Sequence, residues 1–256
     1  MVARALTVAA LAGIVSVANA QTPVQAKPQD TEVWTPVPAI ITPGHTNADA
    51  PSDAVVLFDG RSLDKWVSAK DASPAKWAVN DGILTVVKPA GDIRTKQLFT
   101  NYQLHLEWRI PTNVTGKDQE RGNSGVYLAW ADDHGYELQV LDSHNNTTYV
   151  NGQAGSIYKQ YPPLVNAMRK PGEWQTYDVV WTAPTFGADG SLKSPAFVTA
   201  LHNGVLVQNH VALRGDTKYI GKPEYKAHGP ASILLQAHGD PSPAISFRNI
   251  WVRPLP

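Results

Sequence analysis

The chain predicts an all-β protein, an antiparallel sandwich, and three observations carry that reading. Apolar and polar residues alternate with a period of two over many short segments, as strands with one buried face do. Turn signals stand between those segments at Asn80-Asp81-Gly82, Asp189-Gly190 and Asn203-Gly204, where Asn, Asp and Gly supply the positive φ that tight hairpins need. No stretch of ten residues carries a helical period, and no internal repeat is present.

The elements follow in order. A first strand is expected at 55–58, and strands at 77–79 and 83–87 flank the Asn80–Gly82 turn. Over 102–110, Leu104, Leu106 and Trp108 share one face while His105, Glu107 and Arg109 take the other. Strands at 125–130 and 136–141 come next; in the second, Tyr136, Leu138 and Val140 oppose Glu137 and Gln139. Apolar runs at 174–181, 197–202 and 205–207 lead to closing strands at 233–237 and 247–252.

At 256 residues, 43% hydrophobic and with eight tryptophans, the chain suffices for one large sandwich core. Twenty-two basic and 22 acidic residues cancel, so no long-range field exists to gather nucleic acid or an anionic membrane, and neither is expected as a partner. Cysteine is absent, so no disulfide braces the fold.

Residues 1–20 read as a secretory signal: Arg4 precedes an apolar run from Ala5 to Val17, and Ala18-Asn19-Ala20 offers small residues for cleavage before Gln21. The run is too short to anchor well in a bilayer, so a soluble periplasmic or secreted product is expected. Residues 21–52 hold Pro23, Pro28, Pro36, Pro38, Pro43 and Pro51, a composition that favours an extended linker or arm, with Val33, Trp34, Ile40 and Ile41 as packing points. The folded domain then runs over 53–256.

Polar groups interrupt the apolar strands in a pattern that a purely structural sheet would not need. Gln236 and His238 follow Ile233-Leu-Leu, and Arg248 follows Phe247; buried or cleft-facing groups of this kind require a partner or a ligand. With Gly122-Asn123-Ser124-Gly125 and Tyr136-Glu137-Leu138-Gln139 upstream, they suggest a polar site across a sheet face, suited to sugars.

The segments Leu57-Phe-Asp-Gly60 to Trp66, Trp77-Ala-Val-Asn-Asp-Gly82-Ile-Leu84, Gly122-Asn-Ser-Gly125, Tyr136-Glu-Leu-Gln139, Gly172-Glu-Trp174, Asn203-Gly204-Val and Leu235-Gln-Ala-His238-Gly239 to Phe247-Arg-Asn-Ile250 resemble, in this order, the 3-keto-disaccharide hydrolase domain family. The resemblance implies a concanavalin- or laminarinase-like jelly-roll β-sandwich of two antiparallel sheets, and action on a mono- or disaccharide-type glycoside already oxidised to a ketone at sugar carbon 3. The segment from Ala183 to Pro195 departs from that pattern by its length, and an altered rim loop is expected there.

Such a ketone acidifies the proton on carbon 2. A base removes it, the enolate expels the glycosidic oxygen from carbon 1 by β-elimination, and water adds to the new double bond. Three roles are needed: a base titrating near working pH, donors for the enolate oxygen, and an acid for the leaving oxygen. His238 suits the base, since free imidazole titrates near ~6.5. Glu137 competes with it, or serves as the acid if burial raises its pKa. Arg109, in company with Glu107, is the candidate enolate clamp, with Arg248 or Lys96 as substitutes. Gln139, Gln236 and Asn123 would bind hydroxyls, and Trp130 would serve as core or as a stacking platform. Arg248 also has a structural reading, as the partner of Glu107.

The sequence assigns no cofactor. A divalent ion remains an option, with Asp142 and His144 as weak ligand candidates. Two other functions fit the same fold: a non-catalytic carbohydrate-binding module, and a laminarinase-like glycosidase using Glu137 and Asp142, whose odd spacing puts them on opposite faces of a regular strand. The oligomeric state is not legible.

Overall fold

The computed structural model describes residues 25–256; the expected signal at 1–20 and the start of the expected linker or arm at 21–24 lie outside the described residues. The chain divides into a unit ending at Ile40 and a second unit, Ile41–Pro256. In the first, a 3-10 turn at Pro28–Thr31 is held by the Lys27 N–H donating to Asp30 (2.9 Å). Val33, Trp34 and Ile40, expected as packing points, are exposed there.

The second unit opens with β1 (Val55–Phe58), β2 (Trp66–Ser68), β3 (Ala78–Asn80), β4 (Ile83–Thr85), β5 (Ile93–Thr95) and β6 (Asn101–Arg109). It continues with β7 (Ser124–Ala131), β8 (His134–Val140), β9 (Gln175–Thr182), β10 (Thr185–Phe186) and β11 (Leu192–Ser194). β12 (Phe197–His202), β13 (Val205–Ala212), β14 (Ser232–Leu235) and β15 (Ser246–Leu255) complete it. Each strand expected from alternation is present within a few residues. β2, β5 and the β10–β11 hairpin were not anticipated, because at two or three residues they are too short to show a period.

The strands form a jelly-roll sandwich. One sheet has the order β13-β12-β9-β6-β15-β4-β3, with β1 also on β15, and the other β2-β5-β14-β7-β8; the strand pairs are antiparallel. Leu104, Leu106 and Trp108 of β6 and Tyr177 and Val179 of β9 join Val126 and Leu128 of β7 and Leu138 and Val140 of β8 in one apolar core. Each fully buried large side chain there contributes about 1.5–3 kcal/mol, and truncating Trp181 would cost about 3–5 kcal/mol. Two buried phenols tie the sheets together: Tyr102 donates to the Leu128 carbonyl, and Tyr177 to the Gln139 carbonyl (2.7 Å).

Residues 41–52, expected to continue the linker or arm, are fixed to the outer face of the larger sheet. The Ala48 carbonyl accepts from Trp251 Nε1 (2.9 Å) and Asn249 Nδ2 (2.8 Å), so this stretch belongs to the domain.

Candidate active site

Alternation on β7 and β8 sends Val126, Leu138 and Val140 inward, and therefore Gly125, Tyr127, Glu137 and Gln139 onto the outer face of the five-stranded sheet. Gly125 stands opposite Gln139, and Tyr127 opposite Glu137. β14 brings Gln236 alongside, its N–H donating to the Gly125 carbonyl (3.0 Å). β8 would be a bare edge, but the segment 155–158 pairs with it: Gln139 N–H donates to Ser156, Gly155 N–H to Gln139 and Tyr158 N–H to Glu137. This pairing carries Tyr158 over the face. Further along the same edge Thr217 Oγ1 accepts the Glu137 N–H (2.9 Å), which brings in the segment that bears Tyr219.

The result is a hollow of about 200 Å³ with Glu137, Gln139 and Gln236 on its floor, and Asn123, Tyr158 and His238 among its walls. A wider hollow of about 550 Å³ adjoins it; Asn123, Tyr158, Tyr219 and His238 line both, and Gln119, Tyr149 and Lys159 are added outside. His238 thus stands at the junction of an inner and an outer chamber.

Glu137 is 4% exposed. Burial pushes its carboxyl up to about 8; Tyr127 opposes that shift and the charge of Asp92 adds to it. Room for the carboxyl depends on Gly125, because a Cβ there would meet Glu137 Cδ at 3.0 Å and Cγ at 3.1 Å. The Oε1 atoms of Gln139 and Gln236 are buried without a hydrogen-bond partner among the described residues. Gln139 Nε2 is already committed to Asn123 Oδ1 (3.2 Å) and Gln119 Oε1 (3.3 Å), so its free oxygen is an acceptor that ligand hydroxyls would satisfy.

His238 is held through Nδ1. When the ring is neutral with hydrogen on Nε2, Nδ1 accepts the Asp240 N–H (3.2 Å); when it is protonated, Nδ1–H donates to Asp240 Oδ2 (3.1 Å). One geometry therefore serves both protonation states. Burial works against an ionised Asp240, yet the hydrogen bonds from His238 and Lys88 outweigh it and hold its carboxyl below the ordinary value. Lys88 Nζ lies 3.1 Å from Asp240 Oδ2 and donates to the Asp240 and Ser242 carbonyls, both at 2.6 Å. Asp92 joins the cluster by accepting the Ala237 N–H (2.7 Å); burial raises its pKa.

The structure brings together Glu137, Gln139, Asn123, Gln236 and His238, and moves the other sequence candidates away. Glu107, Arg109 and Arg248 lie on β6 and β15 of the larger sheet, outward of Leu106 and Trp108, on the opposite face of the sandwich. Arg248 pairs there with Glu107 (2.6 Å), and both guanidinium groups lie over Trp174, Arg109 at 4.5 Å and Arg248 at 4.1 Å. The structural reading of Arg248 is the observed one. Lys96 is exposed just beyond β5, and Trp130 lines a separate groove of the same sheet face. Asp142 is fully buried, its oxygens taken by Arg121 Nε (2.7 Å) and the His144 N–H (3.0 Å), so it is engaged away from the hollow and supplies it with neither a metal ligand nor a second glycosidase acid. Among the described residues no three His, Asp or Glu side chains gather into a ligand set.

Several site residues were not singled out from sequence: Tyr127, Tyr158, Thr217, Tyr219, Asp92, Asp240 and Lys88. Tyr127 carried a signal, two positions after Gly125 on the same face, and Asp240 another, two positions after His238. The rest arrive on loops whose closure no local pattern shows.

A family match and a structural likeness place this jelly roll, with its buried carboxyl and unpaired amide oxygens in a polar hollow, among carbohydrate-active, hydrolase-like proteins. More narrowly, the chain belongs to the 3-keto-alpha-glucoside-1,2-lyase-like domain family, whose profile matches residues 53–253. It is similar to a candidate glycosyl hydrolase of Parabacteroides distasonis ATCC 8503, with 54% identity over 90% of this chain and 97% of that one, and a TM-score of 0.84. Two further candidate glycosyl hydrolases of that organism share the fold at 19% and 23% identity, with TM-scores of 0.58 and 0.56; each match covers 79% of this chain, and 94% and 99% of theirs. No curated protein matches the chain.

Proposed function

We propose that this protein is an exported enzyme that cleaves 3-keto-glycosides by removing the carbon-2 proton, eliminating the carbon-1 oxygen and adding water. One observation carries the reading: Glu137, buried in a polar hollow, holds a carboxyl with a pKa of about 8, the range a general base needs for a carbon acid at neutral pH. Glu137 takes the proton from carbon 2, and the electron pair moves through the enolate to break the carbon-1 to oxygen bond. His238, at the mouth between the chambers, delivers a proton from Nε2 to the departing oxygen, with Asp240 steadying the ring from Nδ1. Water then adds at carbon 1, its surplus proton passing to His238, and Glu137, its proton exchanged with solvent in the meantime, protonates carbon 2.

This assigns the base to Glu137 and the acid to His238, the reverse of the first expectation from sequence. With Arg109 on the far face, the enolate oxygen is left to hydroxyl donors. Tyr127 and Tyr158 line the hollow, and burial raises both phenols, which keeps them protonated donors. Gln139 and Gln236 accept sugar hydroxyls through their unpaired oxygens.

The test is turnover of a chromogenic 3-keto-glucoside beside its unoxidised parent, with and without a chelator. Release from the keto sugar alone supports the proposal. Release from the parent would favour a conventional glycosidase, and sugar binding without release a binding module.

A further inference from the structure

We propose a second carbohydrate site on the same sheet face, in the groove around Trp130 and Arg94, that holds a neutral hexose unit of an oligosaccharide. This groove, of about 500 Å³, lies outside the reaction hollow and shares no lining residue with it. The inference rests on the carbohydrate-active class of the protein, not on the elimination chemistry.

The register places the groove. Arg94 of β5, Leu234 of β14, Tyr127 of β7 and Glu137 of β8 form one row across the sheet. Ser232 and Trp130 form the next row beyond it, after a bulge in β7. From Gln236, on the floor of the reaction hollow, to Ser232 in the groove is four residues along one chain, about 13 Å. The wall between them is aromatic: Tyr127 and Trp130 meet edge to face with centroids 5.1 Å apart. Gly135 lets both rings settle, since a Cβ there would lie 2.9 Å from each.

The groove has the chemistry that sugar binding uses: an aromatic surface bordered by a few convergent polar groups. Trp130 is partly exposed. Among the described residues Arg94 has no carboxylate partner, and its one side-chain hydrogen bond is a long one to Ser232 Oγ (3.4 Å). Asp132 adds an exposed carboxylate to the lining, so cation and anion are both on hand and a neutral polyol is favoured over an anion. The far wall, at His228, is braced by the β10–β11 hairpin, where Phe186 packs on the His228 ring at 5.6 Å. That hairpin lies within Ala183–Pro195, the stretch expected from sequence to be an altered rim loop.

Titration calorimetry with unoxidised gluco-oligosaccharides of four or more units tests the proposal, using the intact protein and its Arg94→Gln, Asp132→Asn, Trp130→Ala and Glu137→Gln variants. Arg94→Gln and Trp130→Ala are expected to weaken binding at least about tenfold, equivalent to roughly 1.4 kcal/mol. Glu137→Gln is expected to leave binding within about twofold, and Arg94→Gln and Asp132→Asn to leave turnover of a small 3-keto-glucoside unchanged. Should Trp130→Ala disturb Tyr127, the two conservative variants still decide. Absence of binding by the intact protein, or binding lost in Glu137→Gln and kept in Arg94→Gln, would overturn the second site. Arg94-dependent binding by a protein that never releases a keto sugar's aglycone would overturn the proposed reaction and leave this site standing.

Discussion

Replacing Glu137 by Gln separates the energetic cost of the catalytic base from its use. The folded protein holds this carboxyl at about 8 against an ordinary value of 4.5 because burial disfavours the charge. Between those values the folded state keeps a proton that the unfolded chain has released. The group is therefore neutral to stability below about pH 4.5, destabilises increasingly as pH rises from there, and levels off above about pH 8. At ~1.4 kcal/mol per pH unit the full penalty at pH 9 is on the order of 5 kcal/mol. Gln keeps the shape and removes the charge. Urea unfolding should find Glu137→Gln close to the parent at pH 5 and several kcal/mol more stable at pH 9, while kcat/KM on a 3-keto-glucoside falls about 10²–10⁴-fold. A variant no more stable than the parent at pH 9 would show that burial does not hold Glu137 protonated, and one with parental turnover that Glu137 is not the base.

Further outcomes follow from the same contacts. Gly125→Ala puts a Cβ against the Glu137 carboxyl and should cost about 1–3 kcal/mol with a marked loss of turnover, read by thermal unfolding and initial rates. Asp240→Asn removes the carboxylate that holds His238, so kcat should drop at least about tenfold while KM stays within about twofold, seen in steady-state kinetics. On the opposite sheet, His105 is raised to about 9: burial works against its charge, but Asp178 at 2.7 Å and Glu107 outweigh it. Its stabilisation, on the order of 3 kcal/mol, is fully present below pH 6.5 and lost as pH rises through about 9. His105→Gln should accordingly flatten the alkaline limb of unfolding free energy against pH without changing turnover.

The fold was legible because antiparallel strands with one wet face write a period of two, and because Asn-Gly and Asp-Gly pairs mark their turns. The same alternation revealed Glu137 and Gln139 as outward residues of one strand. It misplaced Glu107 and Arg109 for a physical reason: period tells which residues share a face, but a sandwich has two outer faces and nothing local says which one a strand serves. β6 pairs with β9 and β15, contacts of long sequence separation, and so joins the far sheet. Of the linker and the arm expected over 41–52 the arm is observed: prolines discourage regular structure there but do not prevent two side-chain donors from anchoring one carbonyl. Tyr158 and Tyr219 come from irregular segments and became visible only once those segments closed over β8.

The most direct measurement is a kinetic isotope effect on aglycone release from a 3-keto-glucoside deuterated at carbon 2, run with solvent exchange at that carbon. The account predicts a primary effect on kcat/KM, solvent hydrogen at carbon 2 of the product, and loss of both release and exchange in Glu137→Gln. Release with no isotope effect and full retention of deuterium would show that the glycosidic bond breaks without touching carbon 2, and would contradict it.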